Sequence, residues 1–143
     1  MPTFTQVELI TDTDGKARFI ERQLLLDQGS DKARLSRILF AEGLQLRHSP
    51  VGFRSDFHCT TAPQWVFILS GLMDIGLQDG TVRRFAPGMH FLSADTLPAD
   101  AVFDASLHGH WSCQAGDEPL VTLFVKVPIS SFASVAQLHI KIS

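Results

Sequence analysis

Apolar residues alternate with polar ones, or form short unbroken runs, between residues 53 and 127. The runs are separated by turn-forming pairs such as Asp79-Gly80 and Pro87-Gly88. Period-two alternation predicts β-strands, and many short strands separated by turns predict an all-β sandwich or closed barrel. The predicted strands cover 53–59, 65–69, 73–77, 81–85, 89–92, 101–103, 111–114 and 120–127.

The flanking parts of the chain have a less regular pattern. Residues 17–26 fit a strand or a short helix, and we favour the strand. Residues 34–47 predict one long strand with a bulge or bend at Gly43. Residues 130–143 are apolar enough to pack on the sheets or on a second subunit, as a further strand or a short helix.

Composition narrows the class of protein. A length of 143 residues predicts one domain with its own core. The net charge is −3 and no run of Lys or Arg is present, so we expect no nucleic-acid partner. No stretch reaches the ~18 apolar residues of a membrane span and the first residues lack the features of a leader, so we expect a cytoplasmic protein without a membrane partner.

A histidine, a threonine and a glutamine follow Gly52 at fixed offsets. Five residues separate Gly52 from His58, one separates His58 from Thr60, three separate Thr60 from Gln64, and six separate Gln64 from Gly71. Side chains of one parity share a face of a strand, so His58 and Thr60 point the same way. The residues alone leave open whether this polar face lines a cavity or faces solvent.

A second stretch carries a Pro87-Gly88 step, a strand, a longer loop and His110. The two stretches resemble the two motifs of the cupin family. The family's first motif is Gly, five residues, His, one residue, His, three or four residues, Glu, six residues, Gly; its second has Pro-Gly before a strand with a last His, followed four residues on by Asn. In this chain Thr60 replaces the second His, Gln64 replaces the Glu and Gln114 replaces the Asn.

The resemblance covers roughly residues 43–127 and implies a fold. It implies an all-β jelly-roll barrel, also called a double-stranded β-helix, with one cupin domain over residues 1–143. The motif-bearing barrel would span about 34–127, with the N-terminal strands and the C-terminal tail packed on it. Because members of the family often pair by exchanging strands and termini, the resemblance also implies a homodimer.

The resemblance further implies that the motif side chains point into the barrel lumen. His58, Gln64 and His110 would then be metal ligands, with His108 as a possible fourth. The neighbouring polar side chains would line a pocket, namely Thr60, Ser112 and Gln114. Imidazoles with an amide oxygen suit Zn, Fe, Ni or Mn, although Gln64 brings no charge to offset a cation. The competing interpretation is a polar pocket without metal.

Three functions follow from these interpretations. The first is a divalent-metal-dependent enzyme of oxygenase, isomerase or hydrolytic type that acts on a small molecule. The second is a non-catalytic module that binds or senses a small carboxylate, sugar or aromatic ligand. The third is metal-free acid–base isomerisation by His58 with Asp56 as its partner. For Asp56 the alternative is a solvent-exposed carboxylate at the rim.

Overall fold

The structure is a computed structural model that describes residues 1–128. Within that range it contains strands and no helix, so no helix there could span a membrane. The eleven strands are β1 (Thr3–Thr11), β2 (Ala17–Leu25), β3 (Gln28–Ser30), β4 (Ala33–Leu35), β5 (Leu44–Ser49), β6 (Gln64–Ser70), β7 (Leu72–Gly76), β8 (Val82–Phe85), β9 (His90–Ala94), β10 (Trp111–Ala115) and β11 (Leu120–Lys126). The all-β class is therefore confirmed.

Most of these strands lie in two sheets. The larger has six strands in the order β2-β1-β9-β6-β11-β5, and the smaller has three in the order β10-β7-β8. Neighbouring strands are antiparallel except β1 and β9, which are parallel with Glu8 opposite Leu92, so the larger sheet is mixed. The strands β3 and β4 form a separate two-stranded hairpin. Two isolated antiparallel β-bridges pair Arg54 with Cys113 and His58 with His110, so the segment 54–58 runs beside β10.

The core lies between the two sheets. Leu9, Ile68 and Phe91 come from the larger sheet, and Ile75 and Phe85 come from the smaller one; each is at most 2% exposed. The rings of Phe85 and Phe91 meet with centroids 4.6 Å apart. Burying such a side chain stabilises the fold by roughly 1.5–3 kcal/mol. Two sheets that share one core are consistent with a β-sandwich.

The prediction of one long strand over residues 34–47 is wrong. β4 ends at Leu35, residues 36–43 form no strand, and β5 begins at Leu44. Gly43 adopts a φ of 89°, which interrupts an extended backbone just before β5. The favoured strand over residues 17–26 is confirmed as β2.

Four other parts of the chain differ from the predicted elements or lie outside the described residues. Residues 101–103 form no strand because Ala101 closes a turn onto Pro98. Residues 53–59 are reduced to the two single bridges. The apolar strand β1 joins the larger sheet and has no counterpart among the predicted strands. The tail prediction for residues 130–143 lies outside the described residues.

Candidate functional site

His58 and His110 form a directly opposed pair. Their backbones exchange two hydrogen bonds of 2.9 Å each, and their ring centroids lie 4.7 Å apart. Gly109 makes this approach possible because it has a φ of 83° and because an added Cβ would lie 2.6 Å from the His58 carbonyl oxygen. The two motifs that carry the resemblance therefore meet at these histidines.

Asp95 holds His110 from behind. The Asp95 Oδ2 atom is 2.8 Å from His110 Nδ1, and Thr11 donates a 2.7 Å hydrogen bond to Asp95 Oδ1. Asp95 is fully buried and His110 is 4% exposed. Since a carboxylate only accepts hydrogen bonds, His110 Nδ1 carries the proton and Nε2 has the free lone pair. The buried pair therefore presents a basic nitrogen whose orientation is fixed.

His58 presents its ring in the same way. Its Nδ1 donates to the backbone carbonyl of Asp56 at 2.9 Å, which leaves Nε2 with the lone pair. Partial burial of the ring lowers the pKa of His58 below its ordinary value. The hydrogen bond to Asp56 and the negative charge of Asp95 oppose this effect, while the positive charge of Arg47, and that of His110 when it is protonated, lowers the pKa further. His58 is therefore neutral at pH 7 although its side chain reaches the surface.

Asp56 contacts His58 only through its main chain. Its carbonyl oxygen accepts the hydrogen bond from His58 Nδ1, and the residue is exposed. Within residues 1–128 no hydrogen bond joins the Asp56 carboxylate to either histidine. The carboxylate that orients an imidazole here is Asp95, a residue that the sequence analysis did not identify.

Thr60 and Gln64 both contact the end of β9 and the residues that follow it. Thr60 donates its N–H to the Asp95 carbonyl at 2.8 Å, and its hydroxyl is 2.7 Å from the Ser93 hydroxyl. Gln64 begins β6 directly opposite Ser93, on the same face of β6 as the buried Val66. Both residues therefore lie beside Ser93, two residues before Asp95 on the segment that holds His110.

Ser112 and Gln114 are buried on β10 and serve the local backbone. The Ser112 N–H donates to the Ser55 hydroxyl at 2.9 Å. The Gln114 amide accepts from the Gly52 N–H at 2.8 Å and donates to three carbonyl groups of the following turn, those of Ala115, Gly116 and Glu118. This use of both ends of the amide makes Gln114 a structural tie between the first motif and the β10–β11 turn.

His108 belongs to a different environment. Its Nδ1 accepts a 3.0 Å hydrogen bond from the Asp104 N–H, so the neutral ring carries its proton on Nε2. The ring packs beside Gly15, where an added Cβ would lie 3.4 Å from Nε2. In the part of the chain that the structure describes, no hydrogen bond or ring contact joins His108 to the histidine pair.

The number and type of ligand atoms decide how well His58 and His110 could bind a metal ion. Two imidazoles offer Nε2 lone pairs, and a carboxylate orients one of them, as for histidines that bind metals. However, among residues 1–128 no group of three or more His, Cys, Asp or Glu side chains could hold an ion. Catalytic zinc sites typically use three protein ligands. The described residues therefore bring together two of the predicted ligands, His58 and His110.

A cavity of about 430 Å³ lies beside His58. Its walls combine apolar side chains (Phe57, Leu97 and Phe103) with hydroxyl-bearing ones (Thr60, Thr61 and Thr96), and they include Cys59. Burial, reinforced by the charge of Asp95, raises the pKa of the Cys59 thiol to about 11. The thiol is therefore protonated at pH 7 and the walls carry no charged side chain.

Arg47 is the arginine whose charge acts on His58. It lies on β5 opposite Thr122, and its guanidinium stacks 4.6 Å from the centroid of the Phe53 ring. Within the described residues Arg47 makes no salt bridge. It does not line the cavity, so its influence on the site is the electrostatic effect on His58.

Sequence parity places Asp95 on the same face as Phe91 and Ser93 but does not single it out, because Leu92 and Ala94 of the other parity are buried on β9 as well. The predicted strand also ends at residue 92, before Asp95. The partner Thr11 becomes visible only in the fold, because the parallel pairing of β1 with β9 brings it beside Asp95. In comparisons with known proteins, no protein-family model and no curated protein matched this chain.

Proposed function

We propose that the chain is a cupin-like jelly-roll protein that binds a small uncharged molecule beside His58 and transfers a proton through His110. The meeting of the two motifs at His58 and His110 supports the cupin-like assignment. The observation that carries the chemistry is the buried 2.8 Å hydrogen bond between Asp95 and His110. A cytoplasmic location stays a prediction from the sequence.

The Asp95–His110 pair suits general-base catalysis. Asp95 keeps the proton on Nδ1 of His110, so Nε2 is the atom that accepts a proton from a substrate. As the imidazole becomes charged, the buried carboxylate stabilises the imidazolium. Returning the proton at another atom of the substrate completes an isomerisation without any co-reactant. Such a base contributes typically 10²–10⁴-fold to a rate.

The cavity suits a neutral ligand with an apolar ring or chain. Phe57 and Phe103 provide apolar walls, and the neutral His58 accepts a hydrogen bond through Nε2. A charged ligand would lose hydration without gaining an opposite charge from these walls. The His110 ring does not itself line the cavity but lies 4.7 Å from that of His58, so the proposed proton transfer requires a ligand that extends past the His58 ring.

Hydrogen–deuterium exchange tests the proposed proton transfer. Phenylacetone is a neutral probe whose methylene protons are acidified by its carbonyl group, and ¹H NMR in D₂O follows their loss. In each exchange the C–H proton passes to His110 Nε2 and the electron pair enters an enolate. The imidazolium then exchanges this proton for a deuteron from the solvent and delivers the deuteron to the carbon, which restores the neutral base. We expect protein-dependent exchange that falls at least tenfold in His110→Ala and is kept in the control Asp56→Asn. Equal exchange in wild type and His110→Ala would contradict the proposal.

Binding is tested separately with three planar isosteres. Benzamide is neutral, benzoate is an anion and benzamidinium is a cation, and ligand-observed NMR ranks their affinities. We expect benzamide to bind most tightly and Phe103→Ala to weaken it, with Val102→Ala as the control because Val102 is 86% exposed and does not line the cavity. Tighter binding of benzoate would contradict the neutral-ligand proposal and point to Arg47.

A second candidate function is a metal-dependent one. It is favoured by the two Nε2 lone pairs of His58 and His110, which could hold Zn, Fe, Ni or Mn. We expect titration calorimetry with Zn²⁺ to give weak binding that is lost in His58→Ala and in His110→Ala but kept in His90→Ala. Near-stoichiometric metal in freshly purified protein would favour this candidate over the metal-free one.

A further inference from the structure

One wall of the cavity beside His58 comes from the connection between β9 and β10. Residues 57–61 form one side of the cavity, and Leu97 and Phe103 belong to the other side. Neither Leu97 nor Phe103 is part of a strand. We call residues 97–103 the strap. Access to His58 from this side therefore depends on a segment that the sheets do not hold.

Few contacts hold the strap itself. Among residues 1–128 its only hydrogen bond is internal, from the Ala101 N–H to the Pro98 carbonyl at 3.0 Å. Its side chains reach solvent, since Val102 is 86% exposed, and Phe103 is 41% exposed although it lines the cavity. A segment with few hydrogen bonds and little buried surface opens at a low cost in free energy. The strap can therefore move while the two sheets stay folded.

The near end of the strap is fixed beside Asp95. Thr96, the residue before the strap, donates its N–H to the Ala94 carbonyl at 2.9 Å. The Thr96 carbonyl oxygen lies 2.8 Å from the Thr11 hydroxyl. Asp95 itself is buried against His110. Movement of the strap therefore begins after Thr96 and leaves the Asp95–His110 contact in place.

The far end of the strap enters a compact turn over residues 104–108. The Asp104 carbonyl accepts the His108 N–H at 2.7 Å, and the Asp104 N–H donates to His108 Nδ1 at 3.0 Å. The His108 ring packs beside Gly15 in the turn between β1 and β2, and its centroid lies 6.2 Å from that of Phe103. The position of Phe103 is therefore coupled to the position of this turn.

Gln78 ties the 104–108 turn to the smaller sheet. Its Nε2 atom donates to the Ala105 carbonyl at 2.7 Å and to the His108 carbonyl at 3.1 Å, which uses both N–H groups of the amide. Gln78 lies in the turn between β7 and β8, which the 2.9 Å hydrogen bond from the Leu77 N–H to the Thr81 carbonyl closes. In the described part of the chain, no other side chain from outside the 104–108 turn donates to it.

We infer that the strap opens and closes the cavity, and that Gln78 is a positioning residue that favours the closed form by anchoring the far end of the strap. This inference deepens the proposed function and rests on it for the role of the cavity as a ligand site. A typical hydrogen bond changes an equilibrium by roughly 2–13-fold. The loss of both Gln78 hydrogen bonds should therefore raise the population of the open form at least fivefold.

The two cysteines provide a test that needs no ligand. Cys59 lines the cavity, whereas Cys113 lies on β10 and does not line it. Iodoacetamide alkylation measures access to Cys59 in a Cys113→Ser background and access to Cys113 in a Cys59→Ser background. We expect Gln78→Ala to speed alkylation of Cys59 at least fivefold and to leave that of Cys113 within twofold.

Two further variants separate anchoring from the packing of the β7–β8 turn. Gln78→Glu keeps the shape of the side chain but places an acceptor against two carbonyls, so it should speed alkylation of Cys59 as Gln78→Ala does. Asp79→Ala removes a 2.9 Å hydrogen bond from the Thr81 N–H in the same turn and should leave the Cys59 rate within twofold.

Two outcomes would overturn the inference. Equal acceleration at Cys59 and Cys113 would indicate that Gln78 stabilises the whole fold, and an unchanged Cys59 rate in both Gln78 variants would indicate that the strap does not control access. Because no ligand takes part, this assay can fail while benzamide still binds, and it can succeed where benzamide does not bind. Failure of the inference is therefore distinguishable from failure of the proposed function.

Discussion

Asp95 lies directly behind His110, with its Oδ2 atom 2.8 Å from the imidazole Nδ1 atom. This contact fixes which ring nitrogen carries the proton, and both groups are buried. The orientation of His110 therefore depends on a residue 15 positions earlier in the chain and on the hydroxyl of Thr11. A buried charge held in this way makes the site sensitive to small changes around it.

Replacing Asp95 separates its structural role from its electrostatic role. Asp95→Ala leaves the His110 Nδ1–H and the Thr11 hydroxyl without their carboxylate acceptor, and we expect a loss of about 1–3 kcal/mol in the free energy of unfolding. Asp95→Asn keeps an oxygen acceptor but not the charge, so it should cost less stability while still lowering phenylacetone exchange at least tenfold. Urea denaturation and the exchange assay measure the two effects. The exposed Asp56→Ala control should stay within about 0.5 kcal/mol of wild type.

Gly109 sets the spacing between His58 and His110. Gly109→Ala should be more destabilising than Gly80→Ala, although the two glycines have similar φ values of 83° and 89°. Both changes carry the cost of a left-handed backbone, roughly 1–2 kcal/mol, but only at Gly109 would the new Cβ meet backbone, 2.6 Å from the His58 oxygen. Chemical denaturation of the two variants measures their free energies of unfolding, and the difference between the two losses gives the cost of the Cβ contact at Gly109. Equal losses would mean that the close approach of the motifs does not constrain the fold.

The thiol of Cys59 reports on the charge of Asp95. A pKa of about 11 leaves on the order of one thiol in a thousand ionised at pH 8, so alkylation should be about 200-fold slower than for an ordinary thiol of pKa ~8.5. Because burial and the Asp95 charge both raise this pKa, Asp95→Asn should speed the reaction. Iodoacetamide kinetics in a Cys113→Ser background measure both rates. An unchanged rate in Asp95→Asn would indicate that burial alone protects the thiol.

His90 gives the fold a defined pH dependence. Its ring stacks 4.9 Å from that of Phe4, and burial lowers the pKa of His90 below its ordinary value. A lowered pKa means that the unfolded chain binds the proton more readily, so this contribution to stability is present above about pH 6.5 and is lost as the pH falls towards the folded pKa. The free energy of unfolding should therefore fall between pH 6.5 and 5. It should fall less in His90→Phe, which keeps an aromatic ring in the cluster. Parallel pH curves for the two proteins would contradict the prediction.

The sequence predicted the strands with clear alternation and missed what depends on pairing between distant segments. The strands predicted over residues 65–69 and 73–77 are confirmed as β6 and β7. The failure over residues 34–47 has a local cause, since the φ of 89° at Gly43 interrupts an extended backbone. The carboxylate partner of His110 could not be chosen from the sequence, because Asp56 and Asp95 are both close to motif residues. Only the register of β1, β9 and the segment before β10 distinguishes them.

Restoring the family's ligands tests whether the resemblance extends to the geometry of the site. Thr60 shares its parity with His58 and hydrogen-bonds to Ser93, while Gln64 faces that same Ser93 across β6 and β9. If these side chains surround one point, the double variant Thr60→His with Gln64→Glu adds an imidazole and a carboxylate to the lone pairs of His58 and His110. Three or four ligands hold Zn²⁺ far better than two, so calorimetry should show affinity at least tenfold above wild type. The same double variant carrying His110→Ala should lose most of the gain, because one of the original ligands is then missing. An unchanged affinity in a folded double variant would mean that the four positions do not converge, and the metal-dependent candidate would then lose its structural basis while the Asp95–His110 proton transfer would remain.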